Sequence, residues 1–593
     1  MSRPVAAIVA LCGALALGVG ASAQSPSCHT CVEAAFWEVS PTFWDSTTTG
    51  PLAPERPKLD GLRTFDVGVA FSGGGTRSAS ATIGQLRGLV QNGWLERVRY
   101  ITAVSGGSWA AVPFTYYPGS LTDLLGDSTP LNPATIETVP AGLLADRVAR
   151  SGLGHVGFQE VPSFLPDSIA GLDIVQVRRA LVMARAGIRK IRKREVTEPD
   201  RRNKTYAHML GQIFLDRLVP DGNRRPYAWD RETAIEMSAA TGRPAGDFIL
   251  APPSRPFLIV GGTLVKQAGA DYPRLIPVEY TPMYTGVRQQ FGLIGGTYLW
   301  PWAYDRLYIA PRSDTRVLVG PGPSERPFTL ADVIASSGAA PQLELLLGDK
   351  VPERFRATLR QASEAFPAFA NLAVRGGAPN PATEELAHGD GGFTDNLGVM
   401  PLLARQVHNI IVFVNSSSEY ARNDQLQSYF MPLRVRDGNG DKTMNPVFDR
   451  ALYQKVLDGF DGSTAAGGGA IFCGHNWDVA KNEVYNIRGY TGLNICWVYN
   501  YAAESWKGAL PAPIKAWLAP AALKDPPKQA KDLAHFPYYS TFGENKTSVI
   551  KLKPLQVNLL ADLASWSITS TAAVDTILKE FDTGVLPRPS STR

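Results

Sequence analysis

The chain has 593 residues, 44% of them hydrophobic and 19% charged, enough to bury a large core and to hold two or more domains, and this excludes wholesale disorder. Lysine and arginine number 59 against 54 aspartate and glutamate, a formal charge of +5. So mild an excess gives no reason to expect nucleic acid as a partner.

In chain order, the first 23 residues read as an export signal. Arg3 supplies a minimal basic start, Val5 to Ala21 is almost wholly apolar or small, and Ala21-Ser22-Ala23 fits a small-x-small cleavage site before Gln24. A membrane anchor fits less well, because the run is rich in Ala and Gly and ends in a cleavable tripeptide. Leu11 precedes Cys12 where a lipoprotein site would need a small residue, so no lipidation is expected. No later segment has the roughly 18 uninterrupted apolar residues of a membrane span. The Ala-rich signal has a bacterial character, which implies a periplasmic or secreted protein. Its removal leaves Cys28, Cys31, Cys473 and Cys496, which predict two structural disulfides with three possible pairings. Cys28 and Cys31 lack a second close ligand pair, so zinc is not expected.

Residues 24–60 form a leader rich in Pro, Ser and Thr. Phe65 to Phe71 then has the length and alternation of a buried strand, and it runs into Ser72-Gly73-Gly74-Gly75 and a helix over 76–91. Tyr100 to Val104 is a second short strand that ends at Ser105, and 106–117 can form another helix. Phe257 to Val265 and Ile410 to Asn415 are further strands. Strands alternating with helices predict an α/β fold with parallel strands. An insertion of mixed character occupies about 118–250. It contains Arg189, Lys190, Arg192, Lys193, Arg194, Arg201, Arg202 and Lys204, either a solvated face or a run that docks on an anionic membrane surface. Beyond about 420 the chain is rich in Gly, Pro, Trp and Tyr, and an amphipathic helix is expected near Leu559 to Leu578.

Three local features can carry chemistry. Ser72-Gly73-Gly74-Gly75-Thr76-Arg77 is a glycine loop between strand and helix, where backbone N–H groups can approach an anion. It lacks the Gly-Lys-Ser/Thr ending of an NTPase phosphate loop. Thr102-Ala103-Val104-Ser105-Gly106-Gly107-Ser108-Trp109 fits a nucleophile elbow, with small residues two before and two after Ser105, although alanine replaces the usual first glycine. His388-Gly389-Asp390-Gly391-Gly392-Phe393-Thr394-Asp395-Asn396-Leu397-Gly398 puts an aspartate in a tight loop ahead of an apolar helix.

The order of these three features resembles the patatin-like phospholipases and the related catalytic domains of cytosolic phospholipase A2 and fungal phospholipase B. Phe71 to Arg77 is similar to the Gly-Gly-Gly-x-Arg oxyanion motif of the latter two, and Val104 to Trp109 to the phospholipase B elbow. Asp390-Gly391-Gly392 with Asp395-Asn396-Leu397 is similar to the bacterial patatin form. Val278-Glu279-Tyr280-Thr281-Pro282 and Ala335 to Pro341 are weaker echoes, the latter of the helix start ahead of the catalytic aspartate. The resemblance spans about 61–420. It implies a three-layer α/β sandwich with a mainly parallel central sheet, an inserted cap-like region, and a C-terminal extension (421–593) that completes or flanks the catalytic domain.

It further implies a serine lipolytic acyl hydrolase of the phospholipase A or lysophospholipase type. Ser105 would be the nucleophile and Asp390 its base, without a histidine. Gly73, Gly74, Gly75 and Gly106 would form the oxyanion hole, and Arg77 would contact the substrate phosphate. The partner would be a phospholipid or other lipid ester, with peripheral contact to a membrane surface; no cofactor and no metal is expected. Asp437 to Asp441 begins like a calcium loop but places Lys442 and Phe448 where glycine and glutamate belong. Two alternatives stay open. One is an α/β-hydrolase-type esterase with a Ser-His-Asp triad using the C-terminal His475 or His535. The other is an exported lipid-binding protein without activity.

Overall fold

The computed structural model describes residues 31–40, 42–44, 53–62, 65–127, 131–149, 205–265, 275–291, 294–306, 308–320, 327–340, 342, 363–370, 385–433, 444–519, 524–540, 552–582 and 584–589. Residues 1–23, where an export signal is expected, Cys28, the basic run of 189–204 and the Asp437 loop lie outside them.

The strands of the main sheet are β1 (Val32–Glu38), β2 (Val67–Phe71), β3 (Tyr100–Val104), β4 (Phe257–Val265), β5 (Leu275–Tyr280), β6 (Thr285–Phe291), β7 (Ile294–Leu299), β8 (Tyr308–Ser313), β9 (Arg316–Val319), β10 (Ala368–Ala370), β11 (Glu385–Asp390), β12 (Asn409–Val414), β13 (Ile471–Val479) and β14 (Tyr490–Tyr499). The helices that bear on the site are α1 (Glu55–Leu62), α2 (Gly75–Gln91), α3 (Gly106–Tyr116), α4 (Leu330–Ser337), α5 (Met400–Ala404), α6 (Pro554–Thr569) and α7 (Thr571–Glu580). The strands run in the order β8-β9-β1-β7-β6-β5-β4-β3-β2-β12-β14-β13, with β11 also paired to β4 and β10 to β11.

Only the centre of this sheet is parallel. β4, β3, β2, β12 and β14 run the same way, whereas the other described pairings are antiparallel. The expected mainly parallel sheet is therefore corrected to a mixed one. The reason lies in connection length. β5, β6 and β7 follow β4 with too few intervening residues for a helical crossover, which needs about a dozen or more. The parallel strands are buried along their whole length in β2, β3 and β12, as continuous apolar runs such as Ile410 to Val414 require.

Both ends of the chain enter this sheet. The leader supplies β1, which pairs with β7 and β9, and α1. The residues beyond 420 supply β14, the parallel neighbour of β12, and β13 at the edge. Cys473 and Cys496 face each other in the β13–β14 register and are disulfide-bonded. Cys31 is also in a disulfide, its partner outside the described residues. The expected C-terminal helix is two helices, α6 and α7, separated at the extended Ser570. α6 lies across α2 at close range: a Cβ on Gly84 would stand 1.8 Å from the Ala561 carbonyl oxygen, and one on Gly88 2.6 Å from Ile568. Two glycines four residues apart thus give one face of α2 to the C-terminal helix.

Candidate active site

β4 brings the two ends of the site together. Its first half pairs with β3 as far as Val104 opposite Gly261, and its second half pairs on with β11, starting at Asp390 opposite Gly262. β3 leaves β4 where β11 arrives. Ser105 and Asp390, 285 positions apart, therefore meet at this junction, with Ser105 Oγ donating to Asp390 Oδ2 at 2.7 Å.

The chain turns sharply at Ser105, which sits at φ 50° and ψ −125° between β3 and α3. A non-glycine residue with positive φ is strained by about 1–3 kcal/mol and persists only where its surroundings fix it. Here they leave no room. A Cβ on Gly106 would lie 2.0 Å from the Gly75 carbonyl oxygen, and one on Gly107 would lie 2.8 Å from those of Phe71 and Ser72. Ala103 fits where the elbow pattern usually has glycine. In the facing loop Gly74 and Gly75 have φ 136° and 57°, which glycine adopts without a steric penalty. The N-termini of α2 and α3 consequently converge on Ser105, and both present partial positive charge.

Asp390 is held from several sides. Its Oδ1 accepts the Gly392 N–H at 2.8 Å, and its carbonyl accepts the Thr263 hydroxyl at 2.8 Å. The side chains of Ser105 and Asp390 are nearly closed off from solvent, at 3% and 5% exposure. Burial pushes the Asp390 carboxyl up to about 6, while the hydrogen bonds from Ser105 and Gly392 oppose that rise. A carboxylate so placed is a stronger base than one in water.

Two expected roles change on geometry. The Gly73 N–H donates to the Asn396 carbonyl at 2.8 Å, so it ties the glycine loop to the Asp390 loop and is not an oxyanion donor. Arg77 is buried, with Nη1 on the Tyr539 carbonyl and Nη2 on that of Asn415 at 3.1 Å, and burial lowers its pKa to about 10. A Cβ on Gly74 would come within 2.4 Å of Arg77 Nη2. The guanidinium braces the glycine loop against two carbonyls instead of opening toward a phosphate.

The histidines stand elsewhere. His475 lies exposed on the edge strand β13, and His535 is exposed in the C-terminal region. His388 is buried, its ring nitrogens facing the hydroxyls of Tyr280 at 2.6 Å and Tyr304 at 3.3 Å.

Several residues support these loops, of which Thr394 and Asp395 belong to the Asp390 motif itself, whereas their partners Tyr429, Asn445 and Tyr485 lie outside the sequence patterns. Asp395 accepts the N–H groups of Gly398, Val399 and Met400 and a hydroxyl hydrogen from Tyr429, which fixes the start of α5. Asn415 accepts the Gln85 amide at 2.7 Å, and its own N–H donates to the Ser72 hydroxyl at 2.7 Å. Thr394, four residues after Asp390, has its carbonyl clamped by Tyr485 and Asn445 from the C-terminal third.

No family model matches the sequence, and neither does any curated protein. Among solved structures, human GIVD cytosolic phospholipase A2 is similar at 13% identity and a TM-score of 0.44, over 87% of this chain and 63% of that one. The same human protein in complex with methyl gamma-linolenyl fluorophosphonate gives 14% identity and a TM-score of 0.38, over 87% and 59%. The chain spans less than two thirds of the length of these structures.

Proposed function

We propose that the protein is a serine acyl hydrolase acting on lipid esters, with Ser105 as nucleophile and Asp390 as its base. The observation that carries this reading is the 2.7 Å hydrogen bond from Ser105 Oγ to a buried carboxylate whose pKa is raised to about 6. At neutral pH Asp390 is mostly ionised and can take the hydroxyl proton as Ser105 attacks the ester carbonyl. The proton then passes from Asp390 to the leaving alkoxide. Water, activated by the same carboxylate, attacks the acyl-serine, releases the fatty acid and restores both residues.

The negative charge that develops on the carbonyl oxygen needs donors beside Ser105. The backbone N–H groups of Gly74 and Gly75 at the start of α2, and of Gly106 at the start of α3, are the proposed set. Losing one such donor typically costs about 3 kcal/mol of transition-state stabilisation. Lipid as the substrate class rests on the motif resemblance around residues 71–77, 104–109 and 390–397. Action outside the cytoplasm rests on residues 1–23, and the Cys473–Cys496 disulfide agrees with an oxidising compartment.

A fluorophosphonate probe tests the chemistry directly. The wild-type protein should be labelled at Ser105 and hydrolyse a short-chain ester and a phospholipid, and Ser105→Ala should do neither. Unlabelled, inactive wild-type protein that is nonetheless folded would instead favour a lipid-binding role.

A further inference from the structure

The junction lies on β4 where β3 ends, with Val104 opposite Gly261, and where β11 begins, with Asp390 opposite Gly262. One side chain bridges the Ser105 N–H and the Gly261 carbonyl at this point. Ser337 Oγ accepts the Ser105 N–H at 2.8 Å and donates to the Gly261 carbonyl at 2.6 Å. The Ser337 carbonyl in turn accepts the Gly391 N–H at 3.1 Å, immediately after Asp390. Ser337 is the last residue of α4, is fully buried, and closes a helix whose start is fixed by the reciprocal Thr329–Asp332 capping bonds. A hydroxyl can donate and accept at once, which is what a break between two strand ends requires.

We propose that Ser337 is the positioning residue of the Ser105–Asp390 pair, an inference that rests on the function proposed above. Its hydroxyl holds the nucleophile's main chain in the strained elbow conformation, and its carbonyl holds the residue after the base. Together they set the separation of Ser105 Oγ and Asp390 Oδ2. The same contact commits the Ser105 N–H, which leaves the oxyanion to the amides of the glycine loop and Gly106. The adjacent Gly391 shows how tight the junction is, since a Cβ there would lie 2.3 Å from the Gly261 carbonyl oxygen.

The test compares Ser337→Thr with Ser337→Val, which have nearly the same shape and differ in the hydroxyl. Ser337→Ala and Ser105→Ala are assayed alongside, and thermal melts verify folding. If the hydroxyl positions the pair, Thr keeps most of kcat, whereas Val and Ala lose about 10- to 100-fold with KM little changed. The rate of fluorophosphonate labelling at Ser105 falls in parallel. The acidic limb of the rate profile also moves to higher pH in Val and Ala, because a loosened Ser105 hydrogen bond no longer holds the Asp390 pKa down. Equal kcat in Thr and Val, or an unmoved acidic limb in both Val and Ala, would overturn the inference. Full activity in Ser105→Ala would instead remove the reading of the site on which it rests.

Discussion

Two of the places where this protein buries carboxylates do so to opposite ends. At the junction of β3, β4 and β11, Asp390 has a serine hydroxyl and a backbone amide as partners, and burial raises its pKa to about 6. One strand away, on β5 opposite Gly261, Glu279 is buried together with Glu55, Arg405 and Arg288. Arg405 spans both glutamates at 3.1–3.4 Å, Arg288 reaches Glu279 at 3.2 Å, and the hydroxyls of Tyr284 and Tyr298 donate to Glu55 Oε1 and Glu279 Oε2 at 2.7 Å. Burial pushes the Glu279 carboxyl up, but Arg288 and Arg405 outweigh it and hold the carboxyl below its usual range. Burial alone therefore does not make a base. Glu279, with two arginines, is held in its charged form, burial still raises the Glu55 carboxyl against Arg405 alone, and Asp390, whose described partners include no cation, stays within reach of a proton.

The largest expected effect comes from removing charge on either side. Asp390→Asn keeps size and turn geometry but cannot accept the Ser105 proton, so kcat should fall by about 10³-fold or more, as measured on a soluble ester. The same variant should melt no lower than wild type at pH 8. Because the folded-state pKa lies above the ordinary 3.8, ionised Asp390 lowers stability as pH rises from about 4 through 6, and Asn removes that cost. Arg405→Met should do the reverse. It leaves two buried glutamates with Arg288 alone, which should cost about 3–5 kcal/mol in denaturant unfolding, with kcat per folded molecule unchanged. A stable Arg405→Met protein would break the contrast.

Arg77 is a third case, a buried cation held by carbonyl oxygens. As a brace on the glycine loop it should matter equally for every substrate. Arg77→Ala is expected to lower kcat about tenfold, ~1.4 kcal/mol in the barrier, on both a phospholipid and a neutral ester. A loss confined to the phospholipid would give Arg77 the phosphate contact that the motif resemblance implies. The wild-type pH profile gives a milder check. kcat/KM should fall below about pH 6 as Asp390 becomes protonated, and should show no matching limb near 6.5 from histidine. An acidic limb near pH 4 would mean that Asp390 is as solvated as an ordinary aspartate.

Much of the site is legible in the sequence because its constraints are local. Gly74 and Gly75 need positive φ, Gly106 and Gly107 need room, and both demands leave glycines in fixed places beside Ser105. The central strands are legible for the same reason, as short apolar runs buried on both faces. What depends on distant partners is not. Ser337 acts through a helix end 232 residues from the amide it holds, and nothing in Ser336-Ser337-Gly338 marks which hydroxyl does so. The leader's Pro, Ser and Thr content does not mark a strand, yet Val32–Glu38 becomes one because β7 and β9 offer it edges. Glu55 and Arg405 are unremarkable in sequence, and only the fold brings them together.

The smallest expected effects are those of the histidines, and they test whether the carboxylate works alone. His475→Ala and His535→Ala change exposed side chains, so kcat and melting temperature should both stay at wild-type values. His388 asks more of the argument, since it precedes Asp390 by two positions on β11. Its ring nitrogens face Tyr280 and Tyr304, and its ring packs against Phe369 at 4.8 Å, 71° from coplanar. These contacts fasten β11 to the aromatic core, and Asp390 takes its own hydrogen bonds from Ser105 and Gly392. His388→Gln, which retains hydrogen-bonding capacity, should therefore lower the melting temperature modestly and leave kcat nearly intact. If a folded His388→Gln protein is as inactive as Ser105→Ala, the imidazole takes part in proton transfer. The buried carboxylate would then be its orienting partner, and the distinction between the two buried clusters would no longer rest on a missing cation.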